Sequence, residues 1–288
     1  AGGNSPGSAS YQINNGSTLF LNETTANNLI LGVGVGDITF GSSDPGGTLQ
    51  LNGNTIFRNQ TITTTGGAKN FITGAVFNLQ NSRSIIFNTA VGTDVDGIDL
   101  EVSATISGGD IIKDGAGTVS LTNSANNLGT QNGGGLGEIN TVTINAGTLE
   151  IGGAGRLVNG NYAGAISNNG TFSYNSTNAQ ELSGVISGAG SLEKDNTGTL
   201  TLSGLNTYTG NTTVDDGILQ IGGAGRLQTG ATGFYSGDIA IASGATFQYS
   251  SSASNTDARY NGTISGDGTL IKDGSTSILR LQGTTSVA

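Results

Sequence analysis

The 288-residue chain contains no cysteine, methionine, tryptophan or histidine, and only two prolines, Pro6 and Pro45. Each absence closes a class of chemistry. Without histidine or cysteine there is no Ser-His-Asp triad, no thiol nucleophile and no His/Cys zinc centre. Without cysteine no disulfide staples the fold, so buried apolar surface must hold it. Charge is scarce as well, at 10% of residues, where about 25% is usual. Ten bases against 20 acids leave a net charge of −10. The bases are scattered, which argues against nucleic acid and against an anionic membrane surface, since both need clustered Lys/Arg. No run approaches the ~18 consecutive apolar residues of a membrane-spanning helix. The chain opens at Ala1 with no initiator methionine, as a processed or excised chain would, and export by a removed signal peptide is the expectation.

What the chain has in excess is glycine, 51 residues. Gly-rich, charge-poor chains are often disordered, but 34% of this one is hydrophobic, and those residues fall in short alternating runs that flexible linkers lack. Helix is disfavoured, because glycine and β-branched residues recur every few positions and each glycine costs a helix ~1 kcal/mol.

The strongest signal is an internal repeat. Ile106-Ser-Gly-Gly-Asp-Ile-Ile-Lys-Asp-Gly115 returns as Ile186-Ser-Gly-Ala-Gly-Ser-Leu-Glu-Lys-Asp195 and again as Ile264-Ser-Gly-Asp-Gly-Thr-Leu-Ile-Lys-Asp-Gly274. Ile151-Gly-Gly-Ala-Gly-Arg-Leu157 returns as Ile221-Gly-Gly-Ala-Gly-Arg-Leu227. Within these lies a shorter unit: an apolar residue, a glycine-bearing turn, then an alternating strand. Ile144-Asn-Ala-Gly-Thr-Leu149, Val214-Asp-Asp-Gly-Ile-Leu219, Ile166-Ser-Asn-Asn-Gly-Thr-Phe172, Ile241-Ala-Ser-Gly-Ala-Thr-Phe247 and Ile13-Asn-Asn-Gly-Ser-Thr-Leu19 are examples. From Ile144 onward the apolar anchors are Ile144, Ile166, Ile186, Val214, Ile241 and Ile264. A coil this short cannot enclose a core alone, but stacked coils share one.

The spacing therefore predicts an all-β chain folded as a parallel β-helix of about 10–14 coils, about 50–65 Å long at ~4.8 Å per layer. The expected organisation is one continuous solenoid: irregular coils with a cap over 1–104, long repeats over 105–184 and 185–262, and a partial repeat over 263–288. The competing architecture is an antiparallel sandwich or barrel, which also uses many short strands. In the first hundred residues, Ile38-Thr-Phe40, Thr48-Leu-Gln-Leu51, Gly74-Ala-Val-Phe77 and Ser84-Ile-Ile-Phe87 read as strands of further coils.

The stretch from Ile186 through Gly-Thr-Leu200-Thr-Leu-Ser-Gly204, Asn206-Thr-Tyr-Thr-Gly210 and Thr212-Thr-Val-Asp-Asp-Gly-Ile-Leu219 closely resembles the passenger-associated transport repeat of bacterial autotransporters. Residues 106–151 look like a diverged copy, with Leu121-Thr-Asn-Ser-Ala-Asn-Asn-Leu128 replacing the tyrosine segment, and 264–283 like a truncated one. The resemblance covers about half the chain. It implies a right-handed β-helical passenger, exported to the bacterial surface or released, with an outer-membrane barrel translocator that this chain does not contain. It also implies a role as adhesin, aggregation factor or display stalk.

No catalytic or cofactor-binding constellation emerges. Asp94, Asp96, Asp99 and Glu101 offer hard oxygen ligands at alternating positions, a weak candidate Ca²⁺ site whose order departs from an EF-hand loop. A solvated acidic turn or strand face is the favoured reading, because the cluster fits the ligand pattern only loosely. Asp215-Asp216 is the one adjacent carboxylate pair suited to acid–base chemistry, but it stands where sister coils have a turn. Lys113-Asp114, Lys194-Asp195 and Lys272-Asp273 recur once per repeat, as do Arg156 and Arg226, which marks them as architectural. The aromatic pairs Phe172/Tyr174 and Phe247/Tyr249 read as stacked core rings; a sugar-binding strip would need them exposed. Three functions follow, in this order: a non-catalytic surface or secreted passenger whose partners are a host or sibling-cell surface or other copies of itself, a self-assembling filament or surface-layer subunit, and a polysaccharide-active β-helix enzyme.

Overall fold

Residues that alternate apolar and polar bury one face of a strand and leave the other to water. In the computed structural model the described residues are 11–13, 18–22, 30–31, 38–40, 46–57, 60–79, 84–128, 140–228, 233–253, 257–274 and 277–287. They form short strands paired in parallel, with no α-helix and a single 3-10 turn, Val158–Gly160. The parallel pairing overturns the sandwich alternative and gives a β-solenoid of about nine turns. Two compact units make up the chain, Ala1–Leu149 and Glu150–Ala288.

In the first unit one ladder runs through Tyr11–Ile13, Ile38–Phe40, Gln60–Thr64, Ser84–Thr89, Asp110–Asp114 and Val142–Ile144. A second runs through Thr18–Asn22, Thr48–Phe57, Asn70–Asn78, Leu100–Val102 and Thr118–Leu121. Leu49, Ile72, Val102 and Leu121 stack in register along the second ladder, all fully buried. Along the first ladder Ile38, Ile62, Phe87, Lys113 and Ile144 occupy one column. The Asn14–Ser17 segment of the first sequence coil, and any cap before Tyr11, lie outside the described residues.

The second unit is more regular. One ladder runs through Asn161–Tyr162, Gln180–Leu182, Thr199–Leu202, Ile218–Ile221, Thr246–Tyr249 and Thr269–Lys272. Another runs through Thr171–Ser176, Ser191–Lys194, Thr212–Val214, Ile239–Ile241, Ile264–Gly266 and Thr285–Val287. Leu200, Leu219 and Phe247 form one inward column, with no exposed surface. Burying each such side chain contributes roughly 1.5–3 kcal/mol.

The diverged copy keeps its joint. Asn206 Oδ1 accepts the Ile186 N–H at 2.9 Å, and Asn126 Oδ1 accepts the Ile106 N–H at the same distance. Leu128 is buried like Tyr208, which holds the matching place in the next repeat. The tyrosine segment is replaced, but its hydrogen bond and its core position persist.

Candidate functional site

The recurring Lys-Asp pair is where the sequence placed architecture without a reason, and the structure supplies one. Lys113 lies in an inward column between Phe87 and Ile144, and Lys194 lies in another between Tyr174 and Val214. Neither side chain reaches solvent. Each ammonium therefore needs internal acceptors. Lys113 Nζ donates to the carbonyls of Asp114 (2.7 Å), Gly115 (2.8 Å) and Ala146 (3.2 Å). Lys194 Nζ donates to those of Asp195 (2.8 Å), Asn196 (2.5 Å) and Asp216 (3.0 Å).

In each case two acceptors belong to the lysine's own turn and the third to the corner one coil further on, so the lysine clamps successive corners together. Burial pushes both ammonium groups down to about 8, against the opposing charges of Asp114 and Asp99 for Lys113 and of Asp195 and Asp216 for Lys194. Lys272 repeats the pattern in the exposed rung Thr269–Lys272, bonding the carbonyls of Asp273 (2.7 Å) and Gly274 (2.8 Å). Aromatic rings lie beneath two of the three: Lys194 Nζ is 5.9 Å from the Tyr174 ring centre and Lys272 Nζ 5.7 Å from that of Tyr249, within cation–π range. Parity was the available signal, because each lysine follows Ile111, Leu192 or Leu270 by two.

The acidic stretch folds as a turn that becomes a strand only at Leu100, so Asp94 and Asp96 do not share a strand face with Leu100 and Val102. Asp94 accepts the Lys69 N–H, Asp96 pairs with Lys69 Nζ and accepts the Ile98 N–H, and Glu101 lies 3.7 Å from the same ammonium. Asp99 is buried and caps the N–H groups of Gly92 and Thr118. The four carboxylates are thus held by one lysine and by neighbouring backbone. Partial burial opposes the charge on Lys69, but Asp96, Glu101 and Asp94 raise it above its ordinary value. Among the described residues no group of three or more His, Cys, Asp or Glu is placed to hold a metal ion.

Asp215 and Asp216 both stand exposed at a corner. Asp216 Oδ1 accepts the N–H of Gly217 at 2.7 Å. Asp215 approaches Asp195 across the ladder, and burial together with Asp215 pushes the Asp195 carboxyl up to about 6. Glu193, beside them, is raised by burial and by Asp215 and Glu150.

The aromatic pairs Phe172/Tyr174 and Phe247/Tyr249 are fully buried, so they form no exposed sugar-binding strip. Tyr208, Thr212 and Tyr235 link hydroxyls at 2.7 Å inside the core. Arg156 and Arg226 follow equivalent tight turns, closed by Gly155 N to Gly152 O and by Gly225 N to Gly222 O, both 2.8 Å. On the outside, polar side chains bond from coil to coil: Thr201 to Gln220, Gln220 to Gln248 and Gln248 to Asp273.

Residues 192–221 match the family model of the passenger-associated-transport-repeat. Carried on a β-solenoid, this match fits an autotransporter passenger domain. The matched segment holds the Lys194 clamp, the Tyr208–Thr212 hydroxyl pair and the Asp215–Gly217 corner, so what the repeat encodes is one complete coil joint. Passenger repeats imply a secreted or cell-surface protein. No curated protein and no solved structure matches the chain.

Proposed function

We propose that the chain is a non-catalytic passenger that works through its outer surface, in adhesion or aggregation or as a display stalk, delivered to the bacterial surface by an outer-membrane barrel. One observation carries this reading: the family-matched segment spends its lysine, its tyrosine and one threonine on holding coils together. Lys194, Tyr208 and Thr212 all point inward and are fully bonded there, which leaves amides, hydroxyls and carboxylates facing out. Long polar ladders suit weak, multivalent contact with a cell surface or with another copy.

Beads coated with the purified chain provide the test. Capture on epithelial cells or matrix, or clumping of the beads with one another, is the expected result. Beads coated with heat-unfolded chain are the comparison. If native beads behave like those controls in every setting, adhesion and aggregation are both excluded and only the stalk role survives.

A further inference from the structure

Asp216 and Gly217 form the corner that receives Lys194. Gly217 has φ +65°, and a Cβ there would lie 2.5 Å from the Asn196 carbonyl oxygen and 2.7 Å from that of Gly198. Glycine is therefore obligatory at this position. Position 216 is not so restricted, since the sister corners carry Ala146 and Ser243. The Asp216 side chain turns back on its own following peptide, with Oδ1 2.7 Å from Gly217 N. Three of the other four Asp-Gly carboxylates are engaged elsewhere, Asp96 by Lys69 and Ile98, Asp114 by Asn145 and Asp273 by Gln248, while Asp267 stands exposed before Gly268 without a bond to its own following peptide.

We propose that Asp216–Gly217 is a spontaneous modification site, where the folded corner closes a succinimide ring that reopens as isoaspartate. The Gly217 nitrogen attacks Asp216 Cγ. The N–Cγ bond forms, the C–OH bond of the protonated carboxyl breaks, and the hydroxyl leaves with the amide proton as one water. Water then adds at the main-chain carbonyl carbon of the imide and breaks its bond to nitrogen, giving isoaspartate of unchanged total mass. No oxidant or reductant is involved. The fold contributes orientation, because the reacting carbon is one C–O bond from an oxygen already in contact with the nitrogen.

The product routes the backbone through the side-chain methylene and displaces the Asp216 carbonyl. That carbonyl is the third acceptor of buried Lys194, at 3.0 Å, so the chemical age of an exposed corner is transmitted to an interior clamp.

The full chain would be held at body temperature and mildly acid pH, folded in one sample and in concentrated urea in another. Isoaspartate is then located by electron-transfer fragmentation of the tryptic peptide 195–226. We expect accumulation at position 216 about tenfold faster in the folded chain than in urea, and faster than at Asp114 or Asp273 in the same folded sample. Asp216→Ala, which copies a sister corner, should remove the signal and keep the circular dichroism spectrum. A folded rate equal to or below the urea rate overturns the proposal.

Discussion

A lysine in a column of β-branched and aromatic side chains is costly unless every N–H finds an acceptor. Lys113 and Lys194 each find three, all backbone carbonyls at corners, where carbonyls have no ladder partner. The residue thus converts the weak points of a solenoid, its turns, into points of attachment between coils. Removing it should leave three buried carbonyls unpaired. Lys194→Met should lose about 1–3 kcal/mol of stability, read from the shift of the urea midpoint at constant slope. Lys272→Met, at the exposed rung, should lose less than half as much. Equal losses would show that burial of the ammonium is not what sets its contribution.

At the scale of strands, the inward columns and the cross-strand pairs make different demands. Leu219→Ala opens a cavity between Leu200 and Phe247 and should cost about 2–5 kcal/mol, whereas Leu205→Ala, at a site 39% exposed, should cost under about 0.5 kcal/mol; thermal or urea unfolding separates the two. The pair Asp195 and Asp215 adds a pH dependence. Unfolded, Asp195 titrates near 3.8; folded, near 6, because of burial and the facing Asp215. A raised carboxyl holds its proton better in the folded state, so its contribution is full below the unfolded value and is lost as pH rises through about 6. The melting temperature should therefore fall from pH 5 to pH 7, and Asp215→Asn should flatten that fall. The strands, the glycine corners and the repeat were legible because period-2 alternation and an obligatory glycine such as Gly217 are local facts. The lysine clamps were half legible: the parity of Ile111 with Lys113 pointed inward, but a charge at that place argues the other way until its acceptors are known. The ten-residue strand Thr48–Phe57, with its register shift between Leu51 and Asn54, was read only in its first half, because a bulge leaves no periodic trace.

For the molecule as a whole, the decisive number is a net charge of −10 on a chain with few charged residues. Lys113 and Lys194, two of its ten bases, are buried, so the surface is more one-signed than the composition suggests. Two copies therefore repel at long range, and any attraction between them has to come from short-range contacts of amides and hydroxyls. Screening shortens the repulsion, from a Debye length of about 30 Å at 0.01 M salt to about 8 Å at 0.15 M, and leaves hydrogen bonds nearly untouched. If copies recognise one another through the Thr201–Gln220–Gln248 ladder and its like, clumping of chain-coated beads should increase over that salt range and then level off. Contact through complementary ion pairs would give the reverse, clumping that weakens as salt is added. Light scattering of beads across a salt series distinguishes the two, and replacing Gln220 and Gln248 by glutamate should abolish clumping in the first case by turning the ladder into a column of like charge.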